Sequence, residues 1–71
     1  MSLAELKENE EGTLLGFEDE HLAVKLMAMG VLPGSRLRMI RKNNSGKTLY
    51  VRVDQMHLAI RKSEAACIVL K

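Results

Sequence analysis

Apolar residues occupy every second position in three segments of the second half of the chain, residues 36–40, 48–53 and 56–61. Most intervening positions are polar, which is the pattern of an antiparallel strand with one buried face. Asp54-Gln55 predicts a tight hairpin between the last two segments, and Asn43-Asn44-Ser45-Gly46 predicts a loop between the first two. The segments therefore predict a three-stranded meander. Its inward residues would be Leu37, Met39, Leu49, Val51, Val53, Met56, Leu58 and Ile60.

A second pattern, with a period near 3.6, runs from Glu18 to Met29 and predicts an amphipathic helix. Asp19 is the predicted N-cap, and the acidic residues beside it suit the positive end of the helix dipole. Gly30 is expected to end the helix in a left-handed conformation, with Val31 packing back onto the last turn. The predicted buried stripe consists of Leu22, Leu26 and Met29, widened by Ala23 and Met27.

Shorter signals complete the order of elements. Leu32-Pro33-Gly34-Ser35 predicts a type II turn, because proline suits its second position and glycine its third. Residues 12–17 predict a first strand, residues 67–70 a last strand, and residues 63–66 one helical turn capped by Ser63. Leu3 and Leu6 are expected to pack inward. The chain is predicted to be one mainly β domain, residues 1–71: a small barrel of five short antiparallel strands with one helix after the first strand.

Composition narrows the classes of function. The chain has 71 residues, of which 46% are hydrophobic and 28% charged, as in a folded globular domain. It shows no signal peptide and no apolar run long enough for a membrane span, and a single cysteine, Cys67, excludes an internal disulfide. These features predict a cytoplasmic protein that is not embedded in the membrane.

Charge is distributed unevenly along the chain. Residues 1–34 carry two lysines and seven acids, whereas residues 35–62 carry eight basic residues and Asp54 alone. This asymmetry is compatible with two solvated faces, and also with a polar molecule that docks in one orientation on a charged partner.

Candidate chemistry is sparse. No nucleophile motif, phosphate loop or dinucleotide fingerprint is present, so we predict that the protein is not an enzyme and has no cofactor. Glu18 and His21 could share one helix face as a weak metal site, but a structural zinc site needs about four ligands. We expect His57 to be exposed, and the methionines Met27, Met29, Met39 and Met56 to fill the core.

Arginines on the predicted outer strand faces suggest a nucleic-acid surface as an alternative. They are Arg36, Arg38, Arg52 and Arg61, with Arg41, Lys42 and Lys47 flanking the loop. Small barrels that bind single strands also use aromatic stacking platforms, and the only aromatic residues are Phe17 and Tyr50. We therefore do not expect nucleic-acid binding.

Two motifs resemble the signatures of a known family. Residues 26–34, Leu-Met-Ala-Met-Gly-Val-Leu-Pro-Gly, resemble the Leu-x-x-(Met/Leu)-Gly-(Ile/Val/Leu)-x-Pro-Gly signature of the FeoA family. Residues 58–68 resemble its second signature, apolar-Ala-Leu-Arg-x-x-Glu-Ala-x-x-Ile. With Gly12, the resemblance covers residues 3–70. The chain departs from the family pattern at loop positions: Asn9-Glu10 replaces Pro-Gly, Gly46-Lys47-Thr48 replaces a proline-containing loop, and Asp54-Gln55 replaces the hairpin glycine.

This resemblance implies an SH3-like barrel that assists the membrane GTPase FeoB in ferrous iron uptake by binding its cytoplasmic part. A similar domain is the last domain of some iron-dependent repressors. A second possibility is therefore that this protein is a detached regulatory domain that controls a repressor or self-associates. A docking module needs exposed groups on a rigid element. The expected partner-binding residues are Glu20, His21, Lys25 and Ala28 on the helix, Pro33 and Gly34 in the turn, and Arg38 and Arg52 on the strands.

Overall fold

A computed structural model describes residues 1–43 and 45–71. Asn44, in the predicted 43–46 loop, lies outside the described residues. A short 3-10 helix, Leu3–Glu5, precedes the first strand. The remaining elements are β1 (Glu11–Phe17), α1 (Glu20–Ala28), β2 (Arg36–Lys42), β3 (Thr48–Val53), β4 (Met56–Arg61), α2 (Lys62–Ala65) and β5 (Ile68–Leu70).

The five strands form one antiparallel sheet in the order β4-β3-β2-β1-β5. This confirms the mainly β architecture and the position of α1 after the first strand. In the described part of the chain, β4 and β5 end the sheet and do not pair with each other. Ser2 forms a bridge with Val69 and so covers the outer side of β5. Pairing therefore leaves β4 as the uncovered edge of the sheet.

The core lies on the inner face of this sheet and follows the predicted alternation. The inward residues of β2 and β3 are nearly inaccessible, and Ile60 of β4 is buried beside half-buried Met56 and Leu58. In β1 the buried residue is Leu14, and Leu15 points outward. The buried residues are Leu3, Leu6, Leu14, Leu22, Leu26, Val31, Leu37, Met39, Leu49, Val51, Val53, Ile60, Ala65, Ile68 and Leu70.

The predicted cap at each end of α1 is present. The Asp19 carboxylate Oδ1 accepts the Leu22 N–H at 2.9 Å, which satisfies one of the free donors of the first turn. At the other end Gly30 has φ +93°, and its N–H donates to the Met27 carbonyl while the Val31 N–H donates to the Leu26 carbonyl, each at 3.0 Å. These two bonds make a Schellman motif, which stops the helix and buries Val31.

The turn after the helix is tied to β1. Gly34 has φ +95° and the Ser35 N–H donates to the Leu32 carbonyl at 2.9 Å, as a type II turn requires. Gly34 N–H also donates to the Leu14 carbonyl at 2.8 Å, and Leu14 N–H donates to the Ser35 carbonyl at 2.9 Å. The predicted turn is therefore confirmed, and it holds the end of α1 in a fixed place against the sheet.

The structure corrects three local predictions. The helix begins at Glu20, not Glu18, because Asp19 is already its cap. Met27 and Met29 are both 44% exposed rather than buried, because the core reaches α1 only along Leu22 and Leu26.

The third correction concerns α2, which begins one residue earlier than predicted, so that Arg61 and not Ser63 is its N-cap. Glu64 reaches back and its carboxylate accepts the Arg61 N–H at 3.1 Å. The Asp54-Gln55 hairpin forms as predicted, with Val53 paired to Met56.

Candidate protein-binding surface

The outer face of α1 presents an apolar patch that the sequence reading missed. Val24 is 71% exposed, and Met27 and Ala28, three and four residues later, are also exposed on the same side of the helix. We call these three residues the helix patch. A signal was available, because Val24 lies nearly opposite Leu22 and Leu26 at 100° per residue, where a polar residue is expected.

The four helix residues predicted to bind a partner are all exposed, and they lie within this patch or beside it. Glu20 and His21 lie in the first turn, Lys25 on the flank facing α2, and Ala28 within the patch itself. Lys25 Nζ lies 3.4 Å from Oε2 of Glu64, which joins the helix flank to α2. Capping at both ends makes this surface a rigid one.

The predicted turn residues lie at the end of the same helix. Pro33 and Gly34 are exposed, and the neighbouring Leu32 is 47% exposed. The hydrogen bonds from Gly34 and Ser35 to β1 and Leu32 fix this turn relative to α1. The helix and turn predictions therefore fall on connected elements.

Arg38 and Arg52 lie elsewhere, on the outer face of the sheet. They are cross-strand partners in β2 and β3, and Arg52 is opposite His57 of β4. The Arg41 guanidinium lies 4.6 Å from the centre of the half-buried Tyr50 ring, so a cation already stacks on the aromatic residue of this face. The structure thus gives two separate candidate surfaces, the helix patch and this arginine face of Arg38, Arg41, Arg52 and Arg61.

One acid partly neutralises the arginine face. Glu11 accepts hydrogen bonds from Arg36 Nη2 at 2.6 Å and from Arg38 Nη1 at 3.0 Å, through different carboxylate oxygens. The hydrogen bond and charge of Arg36, followed by those of Arg38, hold the pKa of Glu11 below its ordinary value of 4.5. Glu11 does not bond to Arg52 or Arg61, so the part of the face formed by β3 and β4 remains basic.

The predicted weak metal site falls beside an open cleft of about 350 Å³ between α1 and α2. Glu18 is exposed but does not line the cleft, whereas His21 does. The carboxylates there are already engaged, since Asp19 caps α1 and Glu64 binds both Lys25 and the Arg61 N–H. The cleft is lined by Asp19, His21, Leu22, Lys25, Ser63, Glu64 and Cys67.

Across residues 1–43 and 45–71, no three histidine, cysteine, aspartate or glutamate side chains lie close enough together to hold a metal ion. Over the same residues, no helix combines the length and apolar character needed to cross a membrane. What the surface offers is an apolar helix face, an arginine-rich sheet face and an uncovered strand edge.

Comparisons with known proteins agree on one family. The sequence matches the FeoA domain over residues 1–71. A FeoA protein from Chlorobium tepidum superposes with a TM-score of 0.92 at 27% identity, covering 99% of this chain and 68% of that one. A manganese-dependent transcriptional repressor has a TM-score of 0.87 at 18% identity, over 97% of this chain and 35% of the repressor, which shows the fold alone. No curated protein matches the sequence.

The FeoA of Stenotrophomonas maltophilia is 30% identical, with a TM-score of 0.86 over 100% of this chain and 89% of that one. That protein was solved with zinc bound and is described as a prokaryotic SH3 domain protein proposed to act as a ferrous iron transport activating factor. The SH3-like fold expected from the sequence is therefore confirmed.

Proposed function

The chain belongs to the FeoA family, and on that premise we propose that it is a non-catalytic accessory protein of ferrous iron transport that binds the cytoplasmic part of a FeoB-like membrane GTPase. In this proposal it acts in the cytoplasm, has no cofactor of its own and works by contact. The S. maltophilia relative, described as a transport activating factor, supports this reading.

The observation that carries the proposal is the helix patch. Val24, Met27 and Ala28 form an exposed apolar surface on a helix fixed at both ends, flanked by the charged groups of Glu20 and Lys25. Aliphatic residues at the centre with polar residues at the rim are the usual composition of a protein-protein contact. Exposed apolar groups on a rigid element also bind with little loss of conformational entropy.

A binding assay with the purified cytoplasmic part of a FeoB-like GTPase tests this proposal. Val24→Asp, or the double variant Lys25→Glu with Ala28→Arg, should weaken binding several-fold or more while the melting temperature stays near that of the unsubstituted protein. Leu15→Asp is the matched control, because Leu15 is also an exposed apolar residue, 54% accessible, but lies in β1. Unchanged binding by Val24→Asp and by the double variant would refute the helix patch as the contact.

Salt separates docking from simple charge attraction. Binding through the helix patch should persist at about 0.5 M salt, where the Debye length falls to a few ångströms. If the arginine face carried the contact instead, Arg38→Glu with Arg52→Glu would remove binding and high salt would abolish it for the unsubstituted protein. No binding to the GTPase at either salt concentration would refute the proposed partner.

A further inference from the structure

The uncovered edge of β4 faces a groove whose other wall is α1. The apolar side chains of the groove come from both elements, chiefly Leu26 and Met29 of α1 and Leu58 of β4. Its volume is about 60 Å³, which leaves room for a small aliphatic side chain. Met29 is 44% exposed at this rim and its flexible thioether can adapt to an occupant. The lining residues are Leu22, Lys25, Leu26, Met29, Leu58, Ala59, Ile60 and Glu64.

The backbone of β4 presents free hydrogen-bonding groups along this edge. Lys62 N–H donates to the Lys47 carbonyl at 2.9 Å, so position 62 is bonded toward β3. Along an antiparallel strand the backbone N–H and C=O groups of successive residues point alternately to one side and the other. Those of Arg61 must therefore point away from β3. The Arg61 N–H does so, since it donates instead to the Glu64 carboxylate. By the same alternation the N–H and C=O groups of His57 and Ala59 point outward from the sheet.

The two edge strands of the sheet differ in whether another segment covers them. At β5, Ser2 bridges Val69 and the Leu70 N–H donates to the Met1 carbonyl at 2.7 Å, so residues 1–2 cover that edge. Among the described residues, nothing comparable pairs with β4. Unpaired edge groups bind an added extended chain readily, because each main-chain hydrogen bond is already oriented.

We propose that the β4 edge accepts an extended segment of a partner protein as a sixth strand, in which aliphatic residues alternate with acidic ones. Aliphatic side chains would enter the groove beside Leu58 and Met29. The acidic side chains would lie on the outer face of the sheet, beside His57 and Arg61 and one strand from Arg52. This inference rests on the proposed function only for the identity of the partner. The edge and the groove are features of this chain whichever partner binds.

The basic residues near the β4 edge favour an acidic segment over a second copy of this chain. If two copies paired antiparallel through β4 about Ala59, Arg61 of each would lie opposite His57 of the other, within a face already rich in arginine. This brings basic groups together and disfavours a second copy. Acidic side chains at the same positions are attracted to Arg61 and Arg52. A nucleic acid would meet the same charges, but Tyr50 is half-buried and the Arg41 guanidinium already stacks on its ring.

Short capped peptides of alternating glutamate and valine provide the probe. On binding to ¹⁵N-labelled protein, the amide resonances of His57 and Ala59 should shift, and their hydrogen exchange should slow by roughly tenfold or more at saturation. A peptide of alternating lysine and valine is the matched control and should bind at least several-fold more weakly. Binding that leaves both amides unperturbed, or binding of the lysine peptide with equal affinity, would overturn the proposal.

Backbone methylation of the probe tests strand addition itself. One peptide is N-methylated on every glutamate and a second on every valine. Only one of these two sets of N–H groups can face β4, so one peptide should lose affinity by roughly tenfold or more and the other should retain it. Equal affinity of the two peptides would show that no strand is added.

A protein variant gives an independent readout. Proline at position 59 removes an N–H that points outward and breaks no bond to β3, whereas Ala59→Ser keeps that N–H. Ala59→Pro should weaken the glutamate-valine peptide by roughly tenfold relative to Ala59→Ser. If Ala59→Pro does not fold, the methylated pair decides. A dimer in sedimentation that Ala59→Pro abolishes would identify a second copy as the occupant and overturn the proposed one.

The same variants separate this inference from the proposed function. Full binding of Ala59→Pro to the FeoB-like GTPase, with no change at the His57 amide in the complex, would leave the proposed function standing and refute the β4 edge as its contact. No binding of the GTPase by the unsubstituted protein, together with binding of the glutamate-valine peptide at β4, would refute the transport partner and support the strand-accepting edge.

Discussion

Replacing Gly30 with valine should lower the free energy of unfolding by ~1–2 kcal/mol. This is the energy of forcing a residue with a Cβ into the left-handed backbone conformation of Gly30, with no clash added. Gly30 has φ +93°, a conformation that residues with a Cβ rarely adopt. A Cβ built there meets no atom within 4 Å, so no steric clash adds to the strain. The residue cannot relax cheaply, since the Gly30 and Val31 N–H groups cap the last turn of α1 and Val31 is 1% exposed in the core.

The size of the effect can be bracketed by a series of substitutions. Gly30→Ala should fall at the lower end, because alanine lacks the branched Cβ that makes a positive φ most costly for valine. Gly30→Asn should cost less than Gly30→Val, since asparagine tolerates the left-handed region. For a domain of this size each kcal/mol corresponds to roughly 4–8 °C in Tm, so valine should lower the Tm by roughly 4–16 °C.

Thermal unfolding followed by circular dichroism measures this series, with Gly16→Ala as the matched control. Gly16 does not have a positive φ, and a Cβ there also meets no atom within 4 Å. Its alanine variant should therefore be neutral or more stable by up to about 1 kcal/mol. An unchanged Tm for Gly30→Val, or an equal loss for Gly16→Ala, would refute the assignment of Gly30 as the helix-ending residue.

Four further measurements have expected outcomes. Asp19→Ala should lower the free energy of unfolding by ~1 kcal/mol through loss of the N-cap bond while Asp19→Asn retains most of it, and equal urea midpoints for the two would contradict this. Leu14→Ala should cost ~2–5 kcal/mol because Leu14 is 1% exposed in the core, and a smaller loss would show that the site collapses around the gap. Because the pKa of Glu11 is lowered in the folded state, its ion pairs stabilise the domain above the ordinary carboxyl value of 4.5 and lose that effect as the pH falls through the folded pKa. The stability difference between the unsubstituted protein and Glu11→Gln should therefore shrink from pH 7 to about pH 3, and a constant difference in urea unfolding would contradict the assignment. Calorimetry should find no micromolar or tighter binding of zinc or ferrous iron, and such binding abolished by His21→Ala would show that the cleft beside α1 is a metal site.

Much of the fold was predictable because its determinants are local. Alternation with a period of two fixes which side chains of β2, β3 and β4 face inward, and a one-residue slip would expose them all. Asp19, Gly30 and the Pro33-Gly34 pair act through their own backbone conformations and hydrogen bonds to residues a few positions away, so the sequence predicts each of them without any tertiary contact. The exposure of the predicted helix residues Glu20, His21, Lys25 and Ala28 follows from the same local pattern.

The helical period places Val24 on the outer face, but the full extent of the helix patch was not predictable from these rules. The period of the pattern places Leu22 and Leu26 inward, but the width of the buried stripe depends on how closely neighbouring elements approach α1. The sheet packs against a narrow stripe only. Met27, beside Val24, and Met29, at the C-terminal end of α1, suited a core by composition but are exposed. Methionine is flexible and suits either environment, and its identity therefore does not decide its burial.

The cap of α2 and the open edge of β4 depend on contacts between residues distant in sequence. β4 ends where the Lys62 N–H bonds to Lys47, and that position places the Arg61 N–H within reach of Glu64 in preference to a cap by Ser63. Strand order β4-β3-β2-β1-β5 likewise follows from pairing between residues many positions apart. The sequence by itself determined the elements, their inward faces and their turns, because these are set by neighbours along the chain. Tertiary structure alone decided which strand edge remains uncovered and how much of α1 is exposed, because exposure depends on what the rest of the chain packs against.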